Sequence, residues 1–141
     1  VAGELVGRAI VRDDGSLLVG RRVVHLYGIY MPETNRHCRS WISPVRCAQQ
    51  AVLQLDFIAK GILRCEPQRE RRDGSLEAVC FVDRTRFDSG TDIGAHLIES
   101  GWALARPEAP FEYHAAERIA HAQGLGVWGF PVDSIQRGRQ R

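Results

Sequence analysis

Apolar and polar residues alternate along Leu5-Val6-Gly7-Arg8-Ala9-Ile10-Val11 with a period of two, the spacing of a strand with one face inward. Asp13-Asp14-Gly15-Ser16 reads as a turn, because Asp and Gly accept positive φ. Leu17-Leu18-Val19 follows as a short second strand, and Gly20-Arg21-Arg22 reverses the chain again. Val23 to Tyr30 is predicted to be a third strand, stopped by Pro32. Residues 33–43 are polar and loop-like. Ser43 is placed to cap a helix with Pro44 at its first position. Ala48, Ala51, Val52, Leu55 and Ala59 fall on one face of that helix, and Gly61 suits its end. Ile62-Leu63-Arg64-Cys65 opens a fourth strand, Arg71-Arg72-Asp73-Gly74-Ser75 is a hairpin turn, and Leu76–Val82 is the fifth strand. Thr91 or Asp92 caps a second helix through Ser100, closed by Gly101. A third runs from about Pro110 to Gln123, with Tyr113, Ala116, Ile119 and Ala120 inward and Gly124, Gly126 and Trp128 at its end.

Three strands, a helix, two strands and two further helices predict an α+β, mainly β chain: a five-stranded OB-fold barrel with three helices. No internal repeat, low-complexity tract or linker is apparent. Residues 1–130 read as one domain and 131–141 as a polar, basic tail. The barrel recurs in nucleic-acid and oligosaccharide binding, so fold alone does not give function.

Composition narrows the picture. A chain of 141 residues suits one domain with one core. With 44% hydrophobic and 26% charged residues it is neither a disordered polymer nor a membrane protein. No apolar run approaches the roughly 18–20 residues of a spanning helix. The net charge of +2 excludes a strongly basic nucleic-acid coat. Polyanion binding is left to a local patch, for which Arg21, Arg22, Arg71 and Arg72 are the candidates. Arg69 lies beside the last two, but Glu66, Glu70 and Asp73 are interleaved, so a solvated turn is the default there. Lys60 is the one lysine among 19 Lys and Arg; arginine's planar fork suits phosphate, yet genome composition is the preferred explanation of the bias.

The four cysteines are Cys38, Cys47, Cys65 and Cys80, with no Cys-x-x-Cys pair. They allow three pairings. Cys38–Cys47 would staple a loop to a helix, and Cys65–Cys80 would join neighbouring strands; each closed loop would stabilise by about 3 kcal/mol. The alternative is four buried thiols in a cytosolic protein. Disulfides would imply export, and a chain beginning at Val1 without a signal peptide suits a mature exported form or a trimmed one. His114, Glu117 and His121 share one face of the third helix, an arrangement far more often solvated than metal-binding.

Several segments together resemble the staphylococcal-nuclease-like (thermonuclease) family. They are Val11 through Val19, His25-Leu26-Tyr27-Gly28-Ile29-Tyr30-Met31-Pro32-Glu33, Asp73-Gly74, Leu97-Ile98-Glu99-Ser100-Gly101-Trp102-Ala103 and Gly124-Leu125-Gly126-Val127-Trp128. The similarity covers roughly residues 4–129, and the four cysteines resemble those of exported bacterial members. The resemblance implies an OB-type barrel, a periplasmic or secreted location, and in active members calcium-dependent cleavage of DNA and RNA. That chemistry needs carboxylates on a hard cation, a base for water, and arginines on the phosphate.

At the matching positions most of those groups are replaced. Gly15 stands for the first metal-binding Asp, with Ser16 for a Thr; His25 for the first clamping Arg; Tyr30 for the second metal-binding Asp; Met31 for a Thr; and Ser75 for the second clamping Arg. Glu33 alone matches the family's general base. Asp13 or Asp14 could reach the first metal position, Arg71 or Arg72 could substitute for the hairpin arginine, and His25 could carry charge at low pH. None of these replaces an Asp at Tyr30. The expectation is therefore a nuclease fold without nuclease chemistry and with no resident metal, acting as an interaction module or accessory subunit of an exported assembly. A protein partner is expected at the former cleft; the first alternative is a calcium-dependent thermonuclease-type phosphodiesterase cleaving DNA and RNA, the one case in which calcium enters, and the second is a non-cleaving nucleic-acid binder.

Overall fold

The computed structural model describes residues 3–31, 37–38 and 45–129, with backbone alone for 37–38 and 45–49. Its first strand, β1 (Leu5–Val11), alternates between half-buried and exposed residues as its period-two pattern requires. A turn closed by Gly15 N–H on the Arg12 carbonyl leads to β2 (Leu17–Val19), which pairs antiparallel with β1 through Ala9–Val19 and Val11–Leu17. Strand β3 (Arg22–Leu26) pairs antiparallel with β2, setting Leu17 opposite Val24.

The predicted third strand does not run on to Tyr30. Gly28 takes φ +77°, which bends the chain after Leu26 and starts a separate two-residue strand, β4 (Ile29–Tyr30). Tyr30 thus leaves the barrel wall. Two short strands follow, β5 (His37–Cys38) and β6 (Val45–Arg46), paired antiparallel with Cys38 opposite Val45. Helix α1 (Cys47–Ile58) therefore begins later than its sequence cap suggested, because residues 45 and 46 are extended by that pairing. Ser43 and Pro44 lie outside the described residues. Ala51, Leu55 and Ala59 face inward as their spacing required.

The barrel is completed by β7 (Ile62–Glu70) and β8 (Leu76–Val82), which form a long hairpin. Its register shifts between Pro67 and Arg69, where proline has no N–H for the ladder. Strand β7 pairs with β1, and β8 pairs in parallel with β3. Five strands thus close in the order β3-β2-β1-β7-β8 and back to β3, an OB-type barrel with no free edge among them. The short β9 (Thr91–Asp92) pairs antiparallel with the end of β8 and runs into α2 (Ile93–Glu99), capped by Asp92, whose Oδ1 accepts from Ala95 N–H at 3.1 Å. Strand β10 (Leu104–Ala105) pairs with β4, and α3 (Phe111–Gln123) ends at Gly124 in the left-handed conformation. A single 3₁₀ turn (Gly126–Gly129) follows.

The core lies inside the barrel and between it and the helices: Leu17, Val24, Leu63, Leu97 and Ile98 have no exposure. Cys65 and Cys80 face each other across the β7–β8 hairpin and are disulfide-bonded at a Cα–Cα distance of 4.0 Å. The other expected pair, Cys38–Cys47, involves side chains outside the described residues. On α3, Tyr113, Ala116 and Ala120 are buried, but Ile119 is 59% exposed, since among the described residues no element packs over that side of the helix. Glycine is required at Gly101: a Cβ there would stand 2.8 Å from the Gly126 nitrogen and still nearer the Leu125 carbonyl, so backbone crosses backbone without side chains.

Candidate functional site

The chain does contain a repeat, four residues long. Asp-Gly-Ser-Leu occurs at 14–17, leading into β2, and again at 73–76, leading into β8. Both copies fold alike. Asp14 Oδ1 accepts from Ser16 N–H at 2.9 Å and from its hydroxyl at 2.6 Å; Asp73 Oδ1 accepts from Ser75 N–H and hydroxyl at the same two distances. The serines are buried, and Leu17 and Leu76 flank Val24 from its two sides. Strand β3 is thereby held between twin turns at the barrel's rim. The serine bonds hold both carboxyls below their ordinary range.

Two adjoining clefts open at this rim. One, of about 310 Å³, is lined by Asp14, Gly15, His25, Tyr30, Met31, Arg71 and Arg106, with Leu26 and Ile29 supplying apolar floor. Its neighbour, of about 340 Å³, is lined by Arg12, Asp14, Arg21, Arg22, His25, Asp73 and Ser75. His25 and Asp14 belong to both. The fold therefore gathers Asp14, Gly15, His25, Tyr30, Met31, Ser75, Arg21, Arg22 and Arg71 at one place although they are spread over sixty residues of chain. Asp13 and Arg72 are exposed and line neither cleft. Glu33 lies outside the described residues.

Gly15 adopts φ +87°, and a Cβ built on it would lie 2.8 Å from the Met31 sulfur and 3.2 Å from its Cε. The methionine thioether therefore occupies the space a side chain at position 15 would need. Tyr30, half-buried, has the Arg106 guanidinium 5.4 Å from its ring centre, and Arg106 Nε donates to the Ile29 carbonyl at 3.0 Å. Arg22 reaches across the rim and donates to the Gly74 carbonyl at 3.2 Å, tying β3 to the second turn.

Glu77 organises the basic side of the wall. It is 7% exposed and sits on β8 beside His25 of β3 and opposite Arg69 of β7. Arg69 donates to both its oxygens at 2.8 and 3.1 Å, and Arg71 Nε donates to Oε2 at 2.8 Å. Burial pushes the Glu77 carboxyl up, but the two arginines outweigh it and the net displacement is downward. His25 is displaced downward as well, by burial first and then by Arg71, while Asp14, Asp73 and Glu77 pull the other way. The imidazole is thus held neutral further into acid than a free histidine.

Sequence reasoning missed Glu77, Arg106 and Arg12. Glu77 left a trace, a lone charge inside the apolar run Leu76–Val82, in a hairpin whose register sets it against Arg69. Arg106 left none, since its approach to Tyr30 depends on the β4–β10 pairing. On α3, Glu117 Oε1 accepts from the Ala105 N–H at 2.7 Å and so braces β10, and the His121 ring lies 4.2 Å from that of Trp128. Two of the three residues on that helix face therefore have structural contacts.

No protein-family model matches this chain, and no curated protein matches it. The fold and cleft define it as a small OB-type barrel with a cationic groove at the rim.

Proposed function

We propose that this protein is a catalytically degenerate staphylococcal-nuclease-like domain whose former catalytic cleft serves as a recognition surface, in an accessory subunit of an exported assembly. The observation that supports the reading is Met31 over Gly15: a thioether fills the space beside the position that the resemblance aligns with a metal-binding carboxylate. Tyr30, which the resemblance aligns with the second metal-binding Asp, has the Arg106 guanidinium near its ring. A calcium ion takes 6–8 oxygen ligands, several of them charged. Among the described residues of the two clefts the carboxylates are Asp14 and Asp73, and each has its Oδ1 committed to a serine. Among the described residues that donor set is poorer in charged oxygens than such an ion ordinarily takes. The cross-strand disulfide supports an oxidising location, and among the described residues no helix is long and apolar enough to cross a membrane.

The test is digestion of heat-denatured DNA by the purified chain with and without calcium, alongside Glu33→Gln. The expected result is no cleavage above background under either condition. Calcium-dependent cleavage abolished by Glu33→Gln would establish an active nuclease and overturn the reading. Cleavage unaffected by that substitution would identify a contaminant and leave the expected result standing.

A further inference from the structure

The two clefts form one groove with His25 in the wall they share. Its ionisable lining is five arginines, Arg12, Arg21, Arg22, Arg71 and Arg106, against Asp14 and Asp73. That is an excess of three positive charges, where the entire chain has an excess of two. With Glu77 counted against Arg71, the groove still carries as much net charge as the whole protein. The arginines are distributed along the groove: Arg12, Arg21 and Arg22 at one end, Arg71 and Arg106 at the other. Leu26, Ile29 and Met31 provide apolar surface in the cleft that Arg71 and Arg106 line, and Asp14 and His25 line both clefts. Anionic groups for the guanidinium forks of both clefts, with an apolar group beside Arg71 and Arg106, are what such a lining complements.

We infer that this groove takes an extended peptide segment of a partner protein that carries acidic residues together with apolar ones. The inference rests on the recognition reading above and names the chemistry of the partner. A single-stranded nucleic acid is less suited, because its sequence-tolerant affinity needs open aromatic faces on which bases stack. Among the described residues, the one aromatic ring lining the two clefts besides His25 is Tyr30, and Arg106 lies over it. Carboxylates ask only for the guanidinium forks, and an aliphatic side chain can enter over Met31, whose flexible thioether adapts to irregular apolar shapes. The twin turns and the Arg22–Gly74 bond hold the wall in place, so little ordering is needed on binding.

The experiment measures fluorescence anisotropy of the full chain with three labelled probes: a short peptide alternating Glu and Leu, the same peptide with Lys for Glu, and oligodeoxythymidine of equal charge. The Glu–Leu peptide is expected to bind, more tightly than either control. Its affinity should fall by roughly tenfold or more between about 0.05 and about 0.3 M salt as surface charges are screened. Arg21→Ala with Arg22→Ala, and Arg106→Ala separately, should each weaken it by about tenfold. Circular dichroism of each variant confirms folding, and Lys60→Ala, on a surface away from the groove, should leave binding unchanged. Tighter binding of the oligonucleotide, equal binding of the Lys peptide, no binding of the Glu–Leu peptide, or binding unaffected by the arginine substitutions in folded variants would each overturn the inference. None of these outcomes involves cleavage, so they can fail while the chain remains catalytically silent, whereas calcium-dependent cleavage removes the reading beneath both.

Discussion

Replacing Gly15 with Ala, alone and together with Met31→Ala, measures whether the thioether fills the cleft. At φ +87° an L-residue is strained, and Ala there costs about 1–2 kcal/mol. The added Cβ would also lie 2.8 Å from the Met31 sulfur, inside any real contact distance. The sulfur ends a flexible side chain, so it can swing away, losing part of its packing on the core; that adds about 0.5–1 kcal/mol. Met31→Ala alone removes a half-buried side chain and should cost about 1–2 kcal/mol, below the range for a fully buried one. In the double variant the Cβ meets empty space, so only the backbone strain remains, and the two changes should cost less than their sum by about 0.5–1 kcal/mol. Urea denaturation of the four proteins, with equal m-values as a check on two-state behaviour, gives the coupling. Additivity within about 0.3 kcal/mol would show that Met31 does not stand over Gly15, and the basis for the degenerate cleft would go with it.

Glu77→Gln should destabilise the fold by about 1–2 kcal/mol, a modest figure because both arginines that hold Glu77 are substantially exposed and rehydrate. Since the Glu77 carboxyl is held below its ordinary value, its contribution is complete above the unfolded pKa and is lost as pH falls through the lower folded one. The difference between wild type and variant should therefore be flat above about pH 5 and shrink in stronger acid; a difference that grows on acidification would refute the pairing. Replacing Cys65 and Cys80 together by Ala opens a loop with a separation of 15 residues and should cost about 3 kcal/mol, seen as a lower urea midpoint that reducing agent does not shift further through this pair. Gly94→Ala would set a Cβ 2.8 Å from the Tyr113 hydroxyl, which donates to Asp92 at 2.8 Å, so the variant should lose about 1–3 kcal/mol in a thermal melt despite alanine's better helix propensity. An unchanged or raised midpoint would mean that Tyr113 does not pack on that helix face.

The positions of the five barrel strands and the three helices could be read from the chain, because each rests on local rules: period-two alternation in β1, glycine turns before β2 and β8, and an Asp cap on α2. His25, Tyr30, Met31 and Ser75 were singled out through the family resemblance and not by a local rule; that they line adjoining clefts, and that the two turns are twins, came from the fold. What sequence reasoning could not decide was anything set by which strands meet. The parallel β3–β8 pairing that closes the barrel brings His25 beside Glu77, and the β4–β10 pairing brings Arg106 to Tyr30. The continuous strand expected through Tyr30 broke at Gly28, a residue equally at home in a strand or a bend until its neighbours are known. Local chain stiffness and side-chain alternation act over a few residues and are written in the sequence; charge pairing and the filling of space over Gly15 join residues far apart in it, and only the closed barrel fixes them.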